Sequence, residues 1–113
     1  MPKSSRKTEL SAEALEMIAQ RFKALSEASR LKLIHALKSG ELSVGELVEK
    51  TGLAQANASR HLQLLVETGI LKRRKEGLNV FYAIADQGIF DLCEAVCGSL
   101  QQRLSQHVKA FGS

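Results

Sequence analysis

Apolar positions in this chain recur with a helical period, switch to an alternating one, and return to the helical one. Ser11 can cap a first helix, with Glu13 in its opening turn and Leu15, Ile18, Phe22 and Leu25 at helical spacing behind it. Ser26 interrupts. A second helix follows with Leu31, Ile34 and Leu37 expected to face inward, and Gly40 closes it. Ser43-Val44-Gly45-Glu46 has the spacing of a capping box, in which serine and glutamate each satisfy the other's backbone N–H. It opens a short helix bearing Leu47 and Val48 that ends at Gly52. A fourth helix starts near Gln55 and stops at Gly69. A helix, a tight turn at Gly52-Leu53 and a second helix make a helix-turn-helix.

After Gly69 the period becomes two. "ILKRRK" and "NVFYAIA" read as strands, with Glu76-Gly77 supplying the turn. Val80, Tyr82 and Ile84 point one way, Phe81 and Ala83 the other. From about Asp86 the helical period returns, and Ile89, Cys93, Val96, Leu100, Leu104 and Val108 form one long stripe ending near Phe111. The order predicts a mainly α fold with a small β-hairpin: a winged helix-turn-helix of about five helices and two antiparallel strands. Residues 1 to 10 are polar and basic and are expected to form a mobile arm; residues 11 to 113 form one domain.

Composition narrows the partner class. The 113 residues carry 16 Lys and Arg against 12 Asp and Glu, a formal charge of +4. A modest excess of this kind is compatible with a polyanion. Its distribution is more telling: Lys72-Arg73-Arg74-Lys75 is one run on the hairpin, and Lys3, Arg6 and Lys7 lie in the arm. No stretch has the length of a membrane span and no apolar run follows the charged start, so a cytoplasmic setting is expected, with Cys93 and Cys97 as reduced thiols.

On a helical wheel centred on Ala58, Leu62 and Leu65 share the inward side. Ala56, Asn57, Ser59, Arg60 and Gln63 fall outside. This outer face is small and polar with a single cation, which suits a major groove: Asn and Gln pair with adenine, Arg with guanine, Ser with either. Gln55 sits at the helix start, where backbone N–H groups favour a phosphate. His61, on the flank, either reaches a phosphate or packs under the helix. Lys72, Arg73, Arg74, Lys75 and Asn79 would meet the DNA backbone or minor groove. Duplex DNA is therefore the expected partner, read by the helix and clamped by the wing. A winged-helix protein–protein adaptor would share the fold and lack the salt-dependent affinity for duplex. The three histidines, His35, His61 and His107, show no nucleophile–base–acid spacing, and neither a phosphate loop nor a metal triad stands out, so no catalytic role is expected.

The stretch "ELSVGELVEKTGLAQANASRHLQLLVETGILKRRKEGLNVFYAIAD", together with "FKALSEASRLKLIHAL" upstream, resembles the ArsR family of small bacterial winged-helix repressors over roughly residues 15 to 90. The chain departs from the family at Glu27-Ala28-Ser29, where Asp-Pro-Thr is frequent, and at Ala58, where Val is. The resemblance implies a homodimer, joined through the first and last helices, that represses transcription from a dyad operator until an inducer releases it. The long last stripe independently calls for a partner surface. Two reading helices related by a two-fold would address half-sites about 34 Å apart.

Two metal positions familiar in the family do not carry over. Ser43 and Gly45 stand where a motif like "ELCVCDL" has thiols. Asp86 matches the first ligand of a last-helix set, but Gly88, Ser99 and Gln102 replace the rest. One carboxylate cannot hold zinc, which takes about four ligands. Cys93 and Cys97 remain, four apart on one helix face, with Cβ atoms about 5–6 Å apart, whereas a disulfide needs about 3.8 Å. A bond between them is thus unfavourable. A soft metal or metalloid such as trivalent arsenic, or thiols of a second subunit, fits better, with a third thiolate drawn from the partner chain. An oxidant or sulfur species acting on the thiols is a further form of sensing. Burial as ordinary core cysteines is the alternative. His107 could join such a site.

Overall fold

Local capping determines where the helices begin. In the computed structural model, which describes residues 9–105, the Ser11 side chain accepts from Ala14 N at 3.0 Å and starts α1, Ala12–Ala24. Helix α2 spans Ala28–Ala36, with Glu27 at its N-cap making no side-chain cap bond. Strand β1, Leu42–Ser43, leads into α3, Val44–Thr51. Both bonds of the capping box form: Ser43 N donates to Glu46 Oε1 at 2.8 Å and Glu46 N to Ser43 Oγ at 3.2 Å. Gly52 then turns the chain at φ 76°, a left-handed conformation that suits glycine. Helix α4 is Gln55–Glu67, the hairpin is β2, Leu71–Glu76, with β3, Asn79–Ile84, and α5 is Gly88–Ser105.

The hairpin closes through a two-residue loop, Gly77-Leu78, between the paired residues Glu76 and Asn79. Gly77 takes φ 62° and Leu78 a negative φ, so the turn centres one residue later than Glu76-Gly77. A third strand was not expected. Strand β1 pairs antiparallel with β3, Leu42 opposite Tyr82 and Ser43 opposite Phe81, giving the sheet order β1-β3-β2. Two residues carry no detectable alternation, which is why pattern alone misses such a strand.

The core lies between α2, α3, α4 and the sheet. Leu33, Ile34, Leu37, Leu47, Ala58, Leu62, Leu65 and Ile70 are essentially inaccessible. Each buried Leu or Ile contributes about 1.5–3 kcal/mol. Leu33 takes the inward place expected of Leu31, which is half-buried. Ala58 is fully buried where a larger Val is frequent in the family.

Helices α1 and α5 behave differently. Leu15, Ile18 and Phe22, which recur at helical spacing on α1, are 52, 40 and 54% exposed. On α5 only Ile89 is buried, and Val96, Leu100 and Leu104 are 51, 53 and 55% exposed. The stripes are present, but they do not face this chain's own core. The radius of gyration is 17.3 Å, against about 13 Å for a compact chain of 100 residues. Val108, Phe111, His107 and most of the basic arm lie outside the described residues.

Candidate nucleic-acid interface

The α3–turn–α4 unit presents α4 with its apolar side anchored and its polar side free. Ala58, Leu62 and Leu65 are buried, while Gln55, Ala56, Asn57, Ser59, Arg60 and Gln63 are exposed together on the opposite side. Ala54 at the N-cap makes no side-chain cap bond, so the opening N–H groups of α4 point outward without a capping side chain, an arrangement that favours a phosphate. Arg60 donates to Asn57 Oδ1 at 2.5 Å and Gln63 to Glu67 Oε2 at 3.2 Å. Both bonds are exposed.

His61 lies beneath this face. Its Nδ1 is 3.2 Å from a terminal nitrogen of Arg30 and its Nε2 3.8 Å from Glu27. Arg30, which the sequence reading did not single out, is the one buried charged residue among those described. It donates to the carbonyls of Ala24 at 2.6 Å and Lys23 at 3.2 Å, and stands 3.7 Å from Glu27. A guanidinium placed on the last carbonyls of α1 satisfies them and complements the helix dipole. Through His61 the same group braces α4 against the α1–α2 corner. The sequence signal was an arginine, Arg30, just before the apolar residues of α2, where Lys32 is exposed.

The wing divides its cations by the strand period. Arg73 and Lys75 lie opposite Tyr82 and Val80, while Lys72 and Arg74 lie opposite Ala83 and Phe81. Arg74 is heavily engaged. Its Nε and one terminal nitrogen donate to Glu41 at 2.6 and 2.8 Å, the other donates to Glu76 at 3.0 Å, and its guanidinium sits 4.7 Å from the centre of the Phe81 ring. The hydrogen bond from Arg74, ahead of its charge and that of Lys72, holds the Glu41 carboxyl below the usual carboxylate range. The pair therefore persists at neutral pH and is lost only as pH falls through that lowered value. Lys72, Arg73 and Lys75 are exposed and make no ion pair with the described residues. Asn79 is exposed at the start of β3. Glu41→Gln is expected to release Arg74 and to raise affinity for duplex DNA a few-fold at low salt. The salt slope should steepen by about one per protomer, as read by fluorescence anisotropy across a salt series.

On α5, Cys93 is half-buried and Cys97 exposed. Both line a cleft of about 550 Å³ walled by Phe22, Leu31, Val96 and Leu100. His35, Lys38, Phe90 and Glu94 flank the two thiols from the other side. His35 Nδ1 is 2.9 Å from the Leu31 carbonyl, and its ring meets Phe90 edge-on at 5.8 Å. Burial pushes the Cys93 thiol up. Asp86 is paired with Arg21 and accepts from Gly88 N at 3.0 Å. Among the described residues no three His, Cys, Asp or Glu side chains converge as a metal site would require, and no helix is long and apolar enough to cross a membrane.

Comparison with known proteins agrees with this geometry. The family model for bacterial regulatory proteins of the arsR family matches residues 27–73. A transcriptional repressor SmtB homolog of Synechocystis is 32% identical over 93 residues, covering 82% of this chain and 70% of its own. A homolog of the cadmium resistance transcriptional regulatory protein CadC from Staphylococcus aureus is 41% identical over 78 residues, covering 68% of this chain and 64% of its own. Among solved structures, the homodimeric winged helix-turn-helix DNA-binding domain of Mb0332 from Mycobacterium bovis superposes with a TM-score of 0.74 at 30% identity, covering 95% of this chain and 96% of that domain. The chain belongs to the ArsR family, winged helix-turn-helix regulators that bind DNA and are not enzymes.

Proposed function

We propose that this protein is a homodimeric transcriptional repressor that grips a dyad operator through α4 and the wing, and that an inducer acting at Cys93 and Cys97 releases it. The observation that carries the reading is that one fold presents two distinct surfaces. Gln55, Asn57, Ser59, Arg60 and Gln63 face outward beside Lys72, Arg73 and Lys75. Among the described residues the apolar faces of α1 and α5 stay about half-exposed. A monomer that left Phe22, Val96, Leu100 and Leu104 half-exposed would be prone to association, and a second copy covers them. The homodimeric state of the Mycobacterium bovis domain supports this arrangement. Asn and Gln then read adenine and Arg60 reads guanine, while the wing cations supply affinity that falls with salt.

The thiols stand in that α1–α5 region. Cys93 and Cys97 open into the same cleft as Phe22 and Leu100, so a ligand drawn to them would press on the surface where the protomers meet. A soft metal or metalloid is the favoured ligand class: the CadC homolog among the relatives is named as a cadmium resistance regulatory protein, and thiolates suit soft ions. A trivalent metalloid would take both thiolates of one protomer and a third from the partner. Because Cys93 must lose a proton that burial retains, inducer affinity is expected to rise with pH. Titrating DNA-bound protein with zinc, arsenite, an oxidant and a persulfide donor in parallel tests the reading. The Cys93→Ser, Cys97→Ser double variant is expected to bind operator as the parent does and to ignore the inducer. Dissociation of that variant on cue would remove the thiols from the switch and leave them as packing groups.

A further inference from the structure

Arg21, near the end of α1, ties together three elements that lie far apart in sequence. One terminal nitrogen pairs with Asp86 at the junction of β3 and α5. The other donates at 3.1 Å to the carbonyl of Thr68, the C-cap of α4. Asp86 uses its second oxygen to accept from Gly88 N at the start of α5. The surroundings are fixed as well. Thr68 Oγ1 donates to the Leu64 carbonyl at 3.0 Å, Ile70 N donates to the Leu65 carbonyl at 3.0 Å, and Ala85 N to the Ile70 carbonyl at 2.9 Å. Gly69 turns at φ 80°, and a Cβ added there would stand 3.6 Å from the Arg21 guanidinium.

The chemistry of the contact is specific to arginine. The negative end of α4 and the Asp86 carboxylate both attract a cation. The planar fork presents a separate terminal nitrogen to each acceptor, whereas the three donors of a lysine ammonium share one nitrogen and do not reproduce that spacing. Helices α1 and α5 carry the proposed dimer surface, and α4 is the proposed reading helix. The guanidinium is thus the one side chain among those described that hydrogen-bonds from the dimer frame to the end of the reading helix.

We infer that Arg21 is a positioning residue that sets the orientation of α4 relative to the dimer frame, and hence the half-site spacing the protein accepts. This rests on the dimeric DNA-binding reading above. A dyad site demands that two reading helices arrive in register about one DNA turn apart, so slack at this joint penalises the paired site and leaves each half-site contact as it was.

The probe is the duplex that the wild-type protein enriches from a random-sequence pool, together with the same duplex carrying only one half-site and versions with the spacing changed by one base pair. Arg21→Gln and Arg21→Lys are each expected to bind the enriched duplex about tenfold more weakly, a loss of the size that mutations in coupling elements produce. They should bind the single half-site as wild type does, lose discrimination among spacings, and keep the dimer by sedimentation velocity and the salt slope of binding. Asp86→Asn retains an oxygen for Gly88 N, should match the loss, and combined with Arg21→Gln should add nothing to it. Wild-type affinity and spacing preference in both Arg21 variants would overturn the inference. So would an equal loss on the half-site, additive losses with Asp86→Asn, or a salt slope reduced by about one per protomer, which marks a direct phosphate contact. Failure of the wild-type protein to enrich any duplex would instead overturn the DNA-binding reading, and this inference with it.

Discussion

Replacing Leu100 and Leu104 together with glutamate is expected to yield a folded monomer that binds operator at least about a hundredfold more weakly, the scale on which linked binding sites reinforce one another. Both side chains are more than half exposed in the protomer, at 53 and 55%, so the substitutions remove little from the chain's own core. In a dimer they would bring carboxylates into an apolar seam, where an unpaired charge is strongly unfavourable. The loss of affinity arises because two tethered reading helices convert the second half-site contact into an intramolecular event. Sedimentation velocity and anisotropy on the same preparation check it, with circular dichroism confirming the helical content. A variant that remains dimeric at micromolar concentration would place the interface elsewhere than on α5.

The second large effect belongs to the wing. Lys72→Ala, Arg73→Ala and Lys75→Ala combined are expected to flatten the dependence of log affinity on log salt by about five for the dimer, since each phosphate contact contributes about 0.9. At moderate salt the loss should be on the order of a hundredfold or more. It should fall on specific and non-specific duplexes alike, because phosphate contacts carry no sequence information. Arg74→Ala should behave differently. Its guanidinium is already committed to Glu41 and Glu76 and stacks on Phe81. Removing it loosens the brace between the start of β1 and the wing and leaves the slope nearly unchanged. A slope unaffected by the triple substitution would show that the wing does not touch phosphate.

The contrast between Arg74 and its neighbours marks where pattern reading stops. In sequence the four cations are equivalent. Glu41, the residue that distinguishes one of them, is 33 positions away, and nothing in the local period announces it. The same holds for His61. Its place on the flank of α4 follows from the helical wheel, but its contact with Arg30 depends on how the α1–α2 corner crosses beneath α4. The face of α4 that carries Asn57, Ser59, Arg60 and Gln63, by contrast, follows from the positions of Leu62 and Leu65 alone, because a buried side determines the exposed one.

Local signals also explain which elements were legible. Ser43 and Glu46 satisfy each other's backbone within a single turn, and Gly52 adopts a conformation that few other residues tolerate. Such features act over three or four residues, and the sequence by itself determined them, along with the alternation of the wing and the order of helices around it. Tertiary structure alone decided which apolar stripe serves this chain's core and which stays half-exposed. Leu62 and Phe22 carry equally clear helical spacing, yet one is fully buried and the other 54% exposed. Periodicity reports that a face is apolar, and the crossing of distant segments determines what, if anything, covers it.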